Sequence, residues 1–443
     1  MFTRICLSLV VLVTMPAWSQ VSTTQGGVGL GVTDQMLTPP PVSDQAYPTV
    51  VGTATRSNYL RAGLVFTTAY SNDVVGEVGI DQVSDVGYSF FPTIAIDKAT
   101  SRLHLVLNYS PGFTIYQRTS SENQDDQSVS VNFQYRLSPH VTVNLRDSVS
   151  KISNAFNQAN PLSGGEISGA PGAPLNAVVG LVADQFGNIA NAEVTYQFRR
   201  NAMMGVTGTF LNLDFLNKTQ VPGLYDSSSS GGSAFYSHRL SRKHYIGATY
   251  QYTRALSYPP NAQSEVQSNS FFGFYTIYLK PALSLSFSGG PQHFDIVQSP
   301  LPAYGSWSPT INASMGWQER HTNLAASYSR VVTGGGGLVG AFQSERAGVY
   351  AAWQPARTWS IGAAATYALN KDVTPSMFLS TGGGHSVSGT VSAQHRLSEH
   401  LNMEFGYNYL HQSYSGIPVL SSNPNTDRGF ISFSYNFTRP LGG

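Results

Sequence analysis

The chain has 443 residues, carries 25 Lys+Arg against 24 Asp+Glu, and is only 11% charged, well under the ~25% of an ordinary soluble protein. Taking away residues 1–19 removes Arg4 and no acid, leaving 24 basic and 24 acidic side chains, which excludes the cationic excess that nucleic-acid binding needs. The single cysteine, Cys6, lies in those same residues, so the rest of the chain offers no disulfide and no thiolate metal site.

Residues 1–19 read as a secretion signal. Arg4 is their only charge, residues 5–15 form an apolar core, and Ala17-Trp18-Ser19 is a small-x-small cleavage site. The apolar run is far below the ~20 residues of a spanning helix, and no later stretch approaches that length. Residues 20–56 are Gly, Thr, Pro, Ser and Gln around Pro39-Pro40-Pro41, with few large apolar side chains. Such a segment cannot bury enough surface to fold alone. The expectation is a disordered periplasmic lead-in, too short for a plug domain.

From Tyr59 onward, short segments of alternating polarity recur, with a hairpin period of about forty residues beyond Phe198. The stretch 394–413 shows the unit. Leu401, Met403, Phe405, Tyr407 and Tyr409 share one face, and Asn402, Glu404, Gly406 and Asn408 share the other. The apolar face runs about nine to ten residues, the length of a tilted transmembrane strand. Two kinds of connection alternate. Short ones carry Ser, Pro, Arg, Lys or His, and long ones, such as 223–232, 259–267, 334–337 and 415–426, are rich in Gly, Ser, Asn and Pro. The pattern predicts, over residues 57–443, an all-β fold: a transmembrane antiparallel up-and-down β-barrel of about eighteen strands, within about sixteen to twenty. Short turns face the periplasm, long loops face outward, and an even count puts both termini on the periplasmic side.

The short turns repeat Arg-Leu-Ser: Arg136-Leu137-Ser138, Arg239-Leu240-Ser241 and Arg396-Leu397-Ser398, each preceded by Tyr or His. Ring and cation there suit a membrane boundary. Ten histidines invite a metal reading, but His140, His238, His244, His321, His395 and His400 sit at separate turns around a ring, too scattered to converge on one ion. No Ser, His and acid share a strand at a suggestive spacing, and Gly334-Gly335-Gly336-Gly337 lacks the Lys-Ser/Thr of a phosphate loop and reads as a flexible surface loop. No enzyme, cofactor or metal is expected.

The inward faces are more informative. Parity places Glu193, Ser284, Ser286, Ser360, Thr366, Asn370, Ser388, Thr390, Gln394, Asn402, Glu404 and Asn408 toward the lumen. This lining is small, hydroxylated and nearly uncharged, and about eighteen strands enclose a channel in place of a packed core. The longest connection, 151–188, holds an apolar run with Leu175, Val178, Val179, Leu181 and Val182, which would be an awkward patch in water. Three placements stay open for it: folded into the mouth as a constriction, an extra hairpin, or a surface loop packed on its neighbours.

The Arg-Leu-Ser turns, and 236–241 leading into 244–250, are similar to those of uncharacterised bacterial outer-membrane β-barrel proteins of porin-like type, some associated with exopolysaccharide systems. The resemblance covers about 59–437 and implies a barrel in the outer membrane. It supplies no substrate and no catalytic residue. One departure is the chain end, where Phe437 is followed by six further residues. The expected function is a passive channel for small, mostly neutral solutes. The second reading is a non-enzymatic envelope component of exopolysaccharide export, or a structural surface protein. Expected partners are outer-membrane lipid, the barrel-assembly machinery, and small neutral solutes or polysaccharide.

Overall fold

The computed structural model describes residues 36, 39, 42, 58–75, 82–154, 182–218, 222–260, 262–280, 282–319, 321–417 and 424–441. They contain eighteen strands: β1 (Tyr59–Ser71), β2 (Asp85–Ala99), β3 (Leu103–Tyr116), β4 (Gln124–Arg136), β5 (Val141–Asn154), β6 (Val182–Arg199), β7 (Ala202–Phe215), β8 (Ser227–Arg239), β9 (His244–Ser257), β10 (Ser264–Lys280), β11 (Leu283–Val297), β12 (Tyr304–Gln318), β13 (Thr322–Gly335), β14 (Leu338–Ala356), β15 (Trp359–Asp372), β16 (Gly384–Arg396), β17 (Leu401–Tyr414) and β18 (Asn425–Pro440). Each strand pairs antiparallel with the next, and β18 closes on β1 from Tyr59↔Pro440 to Ser71↔Arg428. A closed ring satisfies the backbone without leaving a free sheet edge, which is what a spanning β-structure requires.

Alternation decides which side meets lipid. In β10, Ser268, Ser270, Phe272, Phe274 and Thr276 are buried, while Phe271, Gly273 and Tyr275 between them are exposed. Around the ring the exposed set is apolar and aromatic, including Phe66, Tyr88, Phe90, Ile94, Tyr109, Phe113, Val206, Phe287, Val349, Val391 and Ile431. These side chains form the outer band of a transmembrane β-barrel. An outward Arg or Lys costs about 2–4 kcal/mol at the bilayer midplane. Accordingly, the outward pair Arg254–Glu265 lies near the long-loop ends of β9 and β10, joined by contacts of 2.6 and 2.8 Å.

Several strands begin earlier than alternation alone suggests. β8 starts at Ser227, inside the stretch expected as the loop 223–232, although Ser227–Gly232 offers no outward apolar residue. It is held by ladders to both β7 and β9. Strand ends on the long-loop side rise beyond the hydrocarbon, where an outward apolar face brings no gain, so hydropathy does not mark them. For the same reason β10 and β18 reach into stretches read as loops.

The short-turn side has a repeated clasp. In the β4–β5 turn Ser138 Oγ accepts the His140 and Val141 N–H groups, and in the β16–β17 turn Ser398 Oγ accepts those of His400 and Leu401. His140 and His400 therefore belong to turn architecture. Among the described residues, no group of three or more His, Cys, Asp or Glu is placed to hold a metal ion.

Candidate functional site: a mouth filled from one wall

The wall is regular except at β13. The β12–β13 ladder runs from Gln318↔Asn323 only to Ile311↔Arg330, although β12 itself continues to Tyr304. The β13–β14 ladder goes on to Gly335↔Leu338. Residues 331–342 therefore leave the wall as a hairpin and turn into the lumen. Gln292, on the inward face of β11, takes the place of the missing strand. Its Oε1 accepts the Val332 N–H at 2.8 Å and its Nε2 donates to the Val332 carbonyl at 2.7 Å, while Thr310 Oγ1 donates to the same Oε1 at 3.2 Å. Gln292 is 1% exposed, so these bonds are made away from water, where an unmade one is costly.

The hairpin tip reaches strands that are not its neighbours. Gly335, Gly336 and Gly337 have φ of 84°, 67° and 88°, a left-handed run that glycine adopts without a Cβ clash. Gly337 donates its N–H to Ser227 Oγ on β8 at 3.3 Å, and Ser257 Oγ on β9 donates to the Leu338 carbonyl at 2.7 Å. The segment following β15 covers the hairpin from above: Thr374 Oγ1 accepts the Ala341 N–H at 2.9 Å, and the Thr381 N–H donates to the Val339 carbonyl at 3.1 Å. Leu338, Val339 and Ala341 are 1%, 0% and 0% exposed. The stretch 334–337 is thus a buried element within the mouth, and its expected role as a flexible surface loop is overturned.

Two apolar clusters form around this hairpin. One joins Val332 and Ala341 to Val266, Phe294, Ile296 and Phe378. The other joins Leu338 and Phe342 to Leu211, Leu213 and Phe215 of β7 on one side and to Tyr414 and Ile417 at the end of β17 on the other. In a ring of eighteen, β7 and β17 stand nearly opposite. An apolar bridge therefore crosses the mouth. Of the residues expected to form a constriction, Leu175, Val178, Val179 and Leu181 lie outside the described residues, and Val182 is the first residue of β6, paired with Asn154. The element that folds inward across this mouth is on β13–β14, far round the ring from that connection.

On the other side of the bridge, β18 and β1–β6 carry inward charges. Near the short turns, Arg61 Nη2 and His104 Nε2 each lie 3.3 Å from opposite oxygens of Asp97. At the long-loop end Asp85, 1% exposed, accepts the N–H groups of Val86, Arg118 and Thr119 and the Thr119 hydroxyl, so it fixes the β3–β4 connection to β2. Arg428 and Asp126 are both buried near the mouth. The lining here is charged, with both signs interleaved, which the hydroxyl-rich segments of the sequence did not announce.

Glu193 sits between the exposed Ala192 and Val194, and the other residues expected in the lumen lie opposite the exposed parity of their strands. Glu193 receives an Asn144 Nδ2 contact at 3.4 Å. Ser284 and Ser286 are buried, and Ser286 Oγ meets Thr276 Oγ1 at 2.7 Å. Ser360 Oγ donates to Gln394 Oε1 at 3.3 Å, Thr366 and Ser388 hydroxyls meet at 2.6 Å, and Asn370 Nδ2 donates to the Tyr414 hydroxyl at 2.9 Å. Thr390 pairs with Asn408, Gln394 with Glu404, and Asn402 with Ser434 in the ladders. The same hydroxyl-to-hydroxyl contact joins Thr67 to Ser432, Ser89 to Thr114 and Thr253 to Ser268. These hydroxyls are largely spent on one another. Sequence reasoning missed Gln292, Val332, 334–342 and Tyr414. A buried Gln facing a Gly-rich turn was the available signal, visible only once register is known.

No family model and no curated protein matches the chain. Among solved structures, it is similar to the FrpB iron transporter from Neisseria meningitidis (F5-1 variant), with a TM-score of 0.42 and 9% identity over 81% of this chain and 64% of that one. It is also similar to Pseudomonas aeruginosa OpdK with vanillate, with a TM-score of 0.40 and 10% identity over 86% of this chain and 99% of that one. Pseudomonas aeruginosa OccK2 (OpdF) gives a TM-score of 0.41 and 8% identity over 86% and 98%. The chain spans less than two thirds of the FrpB chain it matches. None of these likenesses bears on the solute.

Proposed function

We propose that the chain is an outer-membrane channel for small, mostly neutral solutes, with its N-terminus and short turns in the periplasm. The observation that carries this reading is the inward charge pattern of the wall that the mouth hairpin leaves free. Arg61 with Asp97, Arg146 beside Glu193, and Arg428 near Asp126 place opposite signs together. Such pairs produce little net field along the lumen, so ion selection is weak. The polar path then follows β18 and β1–β6, past Glu193, with the apolar bridge from β7 to β17 bounding its other side at the mouth. Outer-membrane lipid surrounds the barrel, and insertion requires the barrel-assembly machinery. No resident cofactor enters this function.

Liposome swelling with neutral sugars of graded size, on refolded protein whose folding is verified by heat-dependent gel migration, tests the proposal. Size-dependent swelling with little preference for anion or cation is expected. A folded barrel that admits no sugar and passes no bilayer current overturns it. One observation favours the second reading, a non-conducting envelope component of polysaccharide export or of the cell surface. The apolar bridge from Phe215 through Phe342 to Tyr414 obstructs the mouth. Removing residues 331–342 separates the two: conduction that appears only without the hairpin favours the non-conducting role for the intact chain.

A further inference from the structure

Within residues 20–56, which precede β1, three residues are described, and two of them are packed against the inside of the wall. Met36 is 4% exposed and joins a cluster with Met203, Phe235 and Tyr245, against which Val42 and Tyr278 also pack. The outward neighbours of those wall residues, Met204, Tyr236 and Ile246, are 44%, 45% and 45% exposed. Met203, Phe235 and Tyr245 therefore face the lumen. Each lies within a few residues of a short turn, as does Tyr278, which meets the Tyr245 ring edge-on at 5.7 Å.

The seat also has polar definition. The Met36 N–H donates to Gln197 Oε1 on β6 at 3.2 Å, and the Val42 N–H donates to the Pro39 carbonyl at 2.9 Å. Gln197 is itself fixed, because its backbone N–H donates to the His140 carbonyl at 2.8 Å and its carbonyl accepts His140 Nδ1 at 2.9 Å. A hydrophobic contact of this kind inside a lumen excludes water from the space that a solute would use.

We propose that Met36 and Val42 act as a stopper docked in the periplasmic mouth, and that the barrel conducts fully only when these two side chains leave their seat on Met203, Phe235, Tyr245 and Tyr278. The proposal rests on the channel reading. It concerns the end of the barrel opposite the β13–β14 hairpin and uses none of the same residues. Met36→Asp puts a carboxylate against an apolar seat, which disfavours docking without altering any wall residue.

Two measurements on the full chain test it. The first is a Met36→Cys, Met203→Cys double variant; with residues 1–19 removed, these would be its only thiols. A disulfide that forms readily under mild oxidation in the refolded barrel is expected, and persistent free thiols overturn the proposal. The second is single-channel conductance in planar bilayers. Met36→Asp is expected to conduct at least twofold more than wild type, and the oxidised double variant less than its reduced form. Equal, non-zero currents in wild type and Met36→Asp overturn the stopper and leave the channel standing. Absence of current from every folded variant, including one without residues 331–342, overturns the channel and the stopper with it.

Discussion

Gln292 binds both backbone polar groups of Val332, two strands away, at 2.8 and 2.7 Å. One side-chain amide thus imitates a strand partner at the point where β13 leaves β12. Without it, two buried backbone groups would lose their partners, a cost of about 1–3 kcal/mol each before any relaxation. Gln292→Leu keeps the volume and removes the bonds. The expected result is a barrel that still folds, with faster amide exchange across 331–342 and unchanged exchange in β2–β5. Hydrogen exchange resolved by peptide checks it, and equal protection of the hairpin in both proteins refutes the latch.

The hairpin also depends on a backbone conformation that few residues tolerate. Gly340 has φ of 111°, and a Cβ there would sit 2.6 Å from Thr374 Oγ1. Gly340→Ala meets conformational strain and a clash together, for about 1–3 kcal/mol lost from the hairpin. Gly336, at φ of 67°, lies in the left-handed region that Asn also visits, so Gly336→Asn is expected to cost less. Denaturant titration of the two variants in one detergent orders them, Gly340→Ala below Gly336→Asn below wild type.

The charged wall predicts selectivity. Asp97 is bracketed by Arg61 and His104 at 3.3 Å each, near the short-turn end. Asp97→Ala removes one negative charge from the lumen and leaves Arg61 without that partner. A reversal potential measured in a salt gradient should shift toward anions relative to wild type. Stability should change by only about 1 kcal/mol or less from the ion pair itself, because Arg61 stays partly exposed. A shift toward cations would mean that Asp97 does not border the path.

The barrel was legible because its wall obeys one rule everywhere. Lipid contact forces an apolar residue at every second position, and Phe405, Tyr407 and Tyr409 on β17 or Ile361 and Tyr367 on β15 announce it. Nothing comparable constrains a strand once it is above the hydrocarbon or inside the lumen. Ser227–Gly232 is strand by virtue of its two neighbours, and 331–342 is interior by virtue of Gln292, Ser227 and Ser257, all far from it in sequence. A run with Val, Gly, Leu and Phe reads equally well as a loop or a plug. The same limit hid the charged side: Arg61, Asp97 and His104 lie on three strands, and only the ladder Arg61↔Ala95 beside Asp97↔Val106 brings them together. A seat for Met36 is a property of β6–β10 and leaves no trace in residues 20–56.

The histidines at the short turns illustrate how repetition can separate structure from function. His140 Nδ1 meets the Gln197 carbonyl at 2.9 Å, and His400 Nδ1 meets the Asn436 carbonyl at 2.9 Å. A carbonyl oxygen only accepts, so Nδ1 carries the proton in both. In both places the strand returns the bond, with the Gln197 and Asn436 N–H groups donating to the His140 and His400 carbonyls at 2.8 Å. Each turn is thereby tied to the strand beyond its own hairpin, β6 in one case and β18 in the other. The second tie matters more, because β18 also closes the ring on β1. Loss of one such hydrogen bond costs about 1 kcal/mol. His400→Ala and His140→Ala should each lower the unfolding midpoint by a small, similar amount, and the double variant should be additive, since the turns share no partner. An Asn at either position can still offer a donor and should recover part of the loss. Neutral-sugar flux through the folded variants should match wild type, and a flux defect in His400→Ala at full folding yield would show that this histidine does more than hold the turn.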